Sequence, residues 1–480
     1  MTNLLFGEVD QPASIVPVPN IGAPFDIPTG TPVVGFKMET IINGGIHHVN
    51  GIVGEGNVGK TAVAIYMFVT VIYNYTISQG LIYDSEGNLK KQRLRITADA
   101  LYQELIYTLE EIEQSEGRLD EYDLRRIVFT TVEKYMGDEL WSMVKSVVGK
   151  SAKNKKDVET IDTPFKDRKG QPLKIAPFVQ LLIDSISMFQ VSSHDDFKSN
   201  AVGSNKRNME SMRDSGAKSQ LINELPAFCL RNNLFVTMTA HIGAQHQIDP
   251  MTPPKKVLAY LSQKQKIKNV PEKFLFVPQT VWYIYGTNTL FNSSQDRTPL
   301  YPRSSTDEKI MRDTDLQIAN LMCLRNKSGL SGSPFEIIIS QSEGILPTLS
   351  QFHYCKTRDR FGLAGNLINI KMVLYPSCTF TRNTIREKIR EDNKLVNAIR
   401  LTTEILQSRI YHPTYVAVSA TADVTMEQIY EKLTTDGYNW DELLETRGYW
   451  LPDQYTNPVR YLSGIDLLNM YLGIYKPYWM

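Results

Sequence analysis

Short apolar runs recur along the first two thirds of the chain, each closed by a polar residue or a glycine. The clearest are residues 48–53, 81–83, 178–183 and 234–239. Runs of this length without strict alternation predict strands buried on both faces. Longer segments of helical character separate them: an apolar stretch from Thr61 to near Gly80, then 137–148 and 209–229. Residues 97–118 also predict a helix, because Leu101, Leu105, Leu109 and Ile112 fall on one face. Residues 126–129, 280–285 and 317–325 predict further strands, and 335–339 an edge strand. Strand, glycine turn, helix and strand over 48–83 form one βαβ unit. The alternation as a whole predicts an α/β fold: a mostly parallel central sheet flanked by helices.

Several stretches interrupt this rhythm. Residues 1–30 are rich in Pro and Gly and read as an extended N-terminal arm, a candidate oligomerisation segment. A strand near Val33 leads into the turn Asn43-Gly44-Gly45. Residues 145–174 hold nine Lys/Arg against four Asp/Glu and read as an exposed basic insertion or hairpin. The polar stretch 191–208 reads as a loop, and 242–274 as a long, strand-poor one with six lysines against Asp249 and Glu272. A loop that long in a compact domain is usually functional or disordered. Past about 352 the texture changes. Helices are expected near 381–407 and 425–434, the latter with a Thr425/Gln428 capping pair. The domain division is therefore 1–30, a core over 31–351, and a small, mainly helical C-terminal domain over 352–480.

Composition adds limits. At 480 residues, about two to four domains fit, with enough core to need no disulfides. Fifty-two basic residues balance 52 acidic ones, which excludes a protein that is basic throughout but not a local positive track. Cys229, Cys323, Cys355 and Cys378 are scattered without a CxxC pair and read as reduced core residues. The opening carries Glu8 and Asp10 with no basic stretch before an apolar one, so no signal peptide is expected. No run of eighteen apolar residues occurs, and no membrane partner is expected.

The strongest chemical signal is Gly54-Glu55-Gly56-Asn57-Val58-Gly59-Lys60-Thr61, which fits G-x-x-x-x-G-K-[ST] without a mismatch. Backbone N–H groups of such a loop turn inward around a β-phosphate, and the following helix N-terminus adds its dipole. Lys60 then reaches the β- and γ-phosphates, and the Thr61 hydroxyl ligates Mg²⁺, so ATP and Mg²⁺ are the expected cofactors. Asp184 closes an apolar strand and is a second candidate for Mg²⁺, although an aspartate there is commonly only a turn residue. Glu86, two residues beyond Asp84, is the candidate that polarises an attacking water; its plain alternative is a solvated turn glutamate.

The order of these motifs resembles the RecA-type recombinases, and among them the phage strand-exchange recombinases typified by UvsX. The phosphate loop, Tyr83-Asp84-Ser85-Glu86, Leu182-Ile183-Asp184-Ser185 and a strand ending Thr239-Ala240-His241 carry the resemblance. Ile27-Pro28-Thr29-Gly30 lies upstream. Leu324-Arg325-Asn326-Lys327, Pro334-Phe335-Glu336-Ile337 and Glu343-Gly344-Ile345 lie downstream. The resemblance spans about residues 25–350; the insertion 145–174 and the stretch 352–480 have no counterpart in it. It implies a RecA-like P-loop ATPase core in which Glu86 is the catalytic glutamate and His241 senses the γ-phosphate. It also implies that Arg325 and Lys327 reach the ATP of an adjacent subunit. Residues 191–208 and 242–274 match the two DNA-binding loops. Lys198, Lys206 and Arg207 are the candidate phosphate contacts in the first, and Lys255, Lys256, Lys264, Lys266 and Lys268 in the second. The implied activity is DNA-dependent ATP hydrolysis by a filament on single-stranded DNA that pairs with duplex DNA and exchanges strands. Single-stranded-DNA-binding and mediator proteins are the implied accessory partners, and the cytoplasm of an infected bacterium the implied setting. A hexameric helicase with the same core, and an ATP-binding recombination mediator, stay open beside it.

Overall fold

The computed structural model describes residues 15–75, 78–87, 89, 94, 106–108, 127–153, 160–189, 204–245, 258–292, 295, 297–304, 306–307, 313–452 and 460–480. Helix α1 (Ala23–Thr29) and the antiparallel pair β1 (Pro32–Val34) and β2 (Thr40–Ile42) precede the main sheet. Its first strands are β3 (Val49–Gly54), β4 (Gln79–Asp84), β5 (Ile106–Thr108) and β6 (Ile127–Thr131). A separate hairpin follows, β7 (Ile161–Lys166) with β8 (Pro172–Ile175). The main sheet resumes with β9 (Val179–Asp184), β10 (Leu234–Ala244), β11 (Gln265–Ile267) and β12 (Thr280–Thr289). It ends with β13 (Leu316–Asn326), β14 (Pro334–Ser340) and β15 (Gly344–Ile345).

In space the order is β15-β14-β13-β12-β3-β10-β9-β4-β6-β5, with β11 paired onto β10. From β12 to β5 every pairing is parallel; β12 to β15 pair antiparallel. The mostly parallel sheet expected from the apolar runs is therefore present.

Both faces of this sheet are covered. Ile52, Ile82, Leu182, Phe235 and Trp282 share one buried cluster with the apolar helix α2 (Lys60–Asn74). Their neighbours Val53, Tyr83, Leu181, Val236 and Val281 share another with α3 (Gly137–Lys153) and α4 (Ser204–Asn232), through Trp141, Ile222 and Leu225. Successive residues of a strand point to opposite faces, so covering both faces requires unbroken apolar runs.

Beyond the sheet lie α5 (Pro347–Thr357), strands β16 (Leu363–Gly365), β17 (Ile370–Met372) and β18 (Tyr375–Phe380), and α6 (Ile385–Glu391). They are followed by α7 (Asn393–Tyr411), α8 (Val416–Ala420), α9 (Met426–Thr435), α10 (Trp440–Leu443) and α11 (Gly464–Tyr471). Thr425 and Gln428 form the capping box at the start of α9. This region carries a three-stranded sheet that its helical texture hid. It also reaches back to the core: the Trp450 indole donates to the Val18 carbonyl at 3.0 Å, and Thr40 N donates to Asp466 at 2.7 Å.

Six local expectations change. Residues 106–108, placed in a helix by their leucine spacing, form β5 beside β6; the β-favouring triplet Ile-Tyr-Thr and its pairing override the local period. Residues 17–30, read as an extended arm, are buried in the chain's own body, and α1 packs against α7. The region 242–274 is less strand-poor than its pattern: β10 runs on to Ala244 and pairs with β11, both too short there to show a period. Helix α4 starts at Ser204, inside the stretch read as a loop. The basic insertion does contain a hairpin, but Phe165 on it is fully buried against Trp450 rather than exposed. In addition, β14 is covered by β15 and is not the sheet's edge.

Candidate nucleotide site

The carboxyl ends of β3, β10, β9 and β4 lie side by side in the sheet, and that end is the usual place for a ligand in such folds. β3 ends at Gly54, the loop 55–59 follows, and α2 begins at Lys60. Gly59 caps the helix at φ +83°, a left-handed conformation that a side chain would strain. A Cβ on Gly54 would lie 2.8 Å from the Ile284 carbonyl oxygen of the neighbouring strand. Gly56 is different, since a Cβ there would meet open space. Lys60 is buried, and its amine donates to the Glu55 carbonyl. Burial pulls its pKa below the usual lysine value, against the opposing charges of Asp184 and Glu86.

β4 and β9 are neighbours in a register that sets Asp84 beside Asp184. The Thr61 hydroxyl donates to Asp184 Oδ2 at 2.7 Å, and the Thr239 hydroxyl donates to Oδ1. Asp84 plays another part. Its carboxylate accepts the backbone N–H groups of Glu86 (2.9 Å), Gly87 (3.1 Å) and Leu89 (2.5 Å), shaping the turn that carries Glu86. Burial raises the Asp84 pKa despite those bonds.

Glu86 Oε1 accepts from the Ser185 hydroxyl at 2.8 Å and from His241 Nε2 at 2.9 Å. The His241 bond is the main cause that holds the Glu86 pKa below the ordinary 4.5; burial opposes it and Ser185 assists. Ser185 is itself fixed, because its N–H donates to Ser85 Oγ at 2.8 Å and its carbonyl accepts that hydroxyl at 2.6 Å. The chain thus brings Lys60, Thr61, Glu86, Asp184 and His241 together at one end of the sheet. Asp84, Ser85, Ser185 and Thr239 support them, and sequence reasoning gave none of these four a role. For Ser85 and Ser185 the one local signal was a hydroxyl residue directly after the aspartate that closes a strand; Thr239 had none.

Thr61 and Asp184 are hard oxygen donors of the kind Mg²⁺ takes alongside phosphate and water. Among the described residues there is no cluster of three or more His, Cys, Asp or Glu placed to hold a metal.

Arg325 and Lys327 are not brought to this end of the sheet. Arg325 pairs with Val281 and so lies level with Gly51, about 10 Å back from Gly54 at ~3.3 Å per residue. Its Nε donates to the Pro278 carbonyl (3.1 Å) and its Nη2 to the Phe276 carbonyl (2.9 Å). Lys327 is exposed and lies further back still, its N–H donating to the Gln279 carbonyl at 3.0 Å.

The expected DNA contacts divide. Lys198, Lys255 and Lys256 lie outside the described residues, and Lys206 and Arg207 sit in the first turn of α4. Lys264, Lys266 and Lys268 are exposed on and beside β11. This hairpin is tied to His241: Lys268 N donates to the His241 carbonyl at 2.7 Å, and the Ser187 hydroxyl to the Lys268 carbonyl at 3.0 Å. Among the described residues no helix is long and apolar enough to cross a membrane.

No protein-family model matches the chain, and no curated protein does. Solved structures do match. One of them, a crystal structure of the RadB recombinase, is 15% identical over 63% of this chain and 92% of that chain, with a TM-score of 0.29.

Proposed function

We propose that this protein is a DNA-dependent ATPase that polymerises on single-stranded DNA and promotes homologous pairing and strand exchange. The observation that carries the ATPase reading is the junction of the Gly54–Thr61 loop with Asp184, Glu86 and His241 at the carboxyl ends of parallel strands. The loop's backbone N–H groups and Lys60 would hold the phosphates of ATP, and Thr61 and Asp184 would hold Mg²⁺. Bound there, Mg²⁺ would neutralise charge on the phosphate oxygens. Glu86, kept ionised by its two donors, orients a water and accepts its proton as the water adds to the terminal phosphoryl and ADP leaves. Lys60 offsets the charge that gathers on the phosphate oxygens.

DNA enters the reading through the resemblance described above and through the lysines of the β10–β11 hairpin. His241 joins that hairpin to Glu86, so the state of the nucleotide bears on the segment that would touch DNA. Arg325 and Lys327, at the far end of the sheet from the chain's own loop, serve the nucleotide of a neighbouring subunit in the filament.

The test is the steady-state ATPase rate with and without single-stranded DNA, at low and high salt, for wild type and E86Q. Stimulation by DNA that salt suppresses and E86Q abolishes is expected. A rate indifferent to DNA would contradict the DNA-coupled reading.

A further inference from the structure

Where α5 leads into the three-stranded sheet of the C-terminal region, positive charge gathers beside an exposed aliphatic tip. From 356 to 382 the chain carries Lys356, Arg358, Arg360, Lys371 and Arg382 against Asp359 alone. Three of these cations are close neighbours. Burial, then the charges of Arg382 and Arg360, hold the Lys356 pKa below the ordinary lysine value, so the charges that press on this ammonium are positive. Its nitrogen lies 5.5 Å from the centre of the Tyr301 ring. Arg382 is braced through Nη1 on the Pro299 and Leu300 carbonyls, at 3.0 and 3.2 Å. Arg360 reaches toward the sheet: its Nη2 donates to the Gly365 and Asn366 carbonyls at 3.2 and 3.3 Å. Its Nη1 is buried with no hydrogen-bond partner among the described residues.

Those two carbonyls belong to the turn between β16 and β17. There Asn366 Oδ1 accepts the N–H groups of Ile368 (2.9 Å) and Asn369 (2.6 Å), which fixes the turn. At its tip Leu367 and Ile368 stand side by side, 79% and 70% exposed. The backbone that carries Arg360 is constrained as well. Asp359 and Arg360 both take left-handed φ, +51° and +56°, which costs a non-glycine residue free energy unless its surroundings impose it.

A half-buried, self-repelling cation cluster and a fixed aliphatic pair facing water are both unfavourable in the free protein, and one kind of partner offsets both. We propose that this face docks an acidic segment of another protein, its carboxylates on Lys356, Arg360 and Arg382 and its aliphatic side chains over Leu367 and Ile368. Carboxylates match the fork of a guanidinium, and an apolar cover takes the two tip residues out of water. Duplex DNA fits less well. Its phosphates would meet the cations but leave the tip in water, and cations braced on carbonyls do not make the exposed basic track that a duplex backbone follows. None of these residues belongs to the nucleotide site described above.

The experiment is fluorescence anisotropy on the full chain with a labelled hexapeptide that mixes aspartate and leucine. Beside it are run hexapeptides of aspartate alone and of serine with leucine, and a short DNA duplex. The mixed peptide should bind at least about tenfold more tightly than either simpler peptide, and salt should weaken it. K356M keeps an apolar stem beside Tyr301 and removes the charge. It should lower the affinity for the mixed peptide about tenfold, with thermal melting unchanged or raised because repulsion is relieved. L367S/I368S, at two exposed positions, should lower that affinity about tenfold and leave the affinity for the aspartate peptide as it was. Equal affinity for the two acidic peptides would strike the tip from the site. Duplex binding that is tighter than that of the mixed peptide and is lost in K356M would assign the face to nucleic acid. Either result, or no binding of the mixed peptide, would overturn the proposal.

Discussion

Two groups of carboxylates in this molecule are built on opposite plans. Around Asp315 and Glu343 the negative charges are matched inside the protein. Arg386 pairs with Asp315 at 3.0 Å and with Glu343, Arg303 lies 2.9 Å from Asp315, and Arg390 also pairs with Glu343. Burial would raise the Asp315 pKa, but bonds from Ser342, Arg386 and Ser340 outweigh it and bring the value down to about 2. In the proposed nucleotide site, Asp84, Glu86 and Asp184 are held by hydroxyls, backbone N–H groups and one histidine, with Lys60 the nearby ammonium. The first group is complete and holds β13 and β14 against α6. The second is anchored in place yet leaves negative charge over, which suits it to a divalent cation. Hydroxyl and backbone N–H donors fix geometry without cancelling charge.

The largest effect that would sharpen this contrast is at Glu86. E86Q keeps the shape and removes the base, so turnover should fall by about 10²–10⁴-fold while MgATP binding persists. Unchanged turnover would remove Glu86 from the chemistry. Next comes R386M in the matched group. Taking out this buried arginine leaves Asp315 with only the part-exposed Arg303 as a charge partner and Glu343 with only Arg390, and should cost about 1–3 kcal/mol in chemical denaturation, with the activity per folded molecule unchanged. A loss of activity with no loss of stability would erase the distinction between the groups. Smaller is S185A, which removes one of the two donors to Glu86 and should lower kcat several-fold, about 1 kcal/mol.

The pH profile gives the finest test. Glu86 is depressed below 4.5, first by His241, so it stays ionised above that value and loses its charge only as pH falls further. The acid limb of the rate should therefore lie below pH 4.5 and move up toward it in S185A. A limb well above 4.5 in wild type would mean that another group controls it.

Much of this was legible in the chain, for physical reasons. Strands buried on both faces must be apolar throughout, so β3, β9 and β10 announced themselves, and the loop between β3 and α2 carried its glycines and Lys60 at a fixed spacing. Short pairings were not legible. β5 and β11 are three residues each, below the length at which a period of two shows, and both exist because a neighbour pairs with them. The hydroxyl residues that hold Glu86 and Asp184 were hidden too. Ser185 and Thr239 meet their partners only once the strands are laid side by side.

One measurement bears most directly on the central claim that the hydroxyl-anchored carboxylates form a MgATP site. Calorimetric titration of ATP should be run with and without Mg²⁺ for wild type, D184N and R386M. Binding that needs Mg²⁺, weakens at least tenfold in D184N and is kept in R386M is the predicted result. Binding that ignores Mg²⁺ and survives D184N would contradict the account.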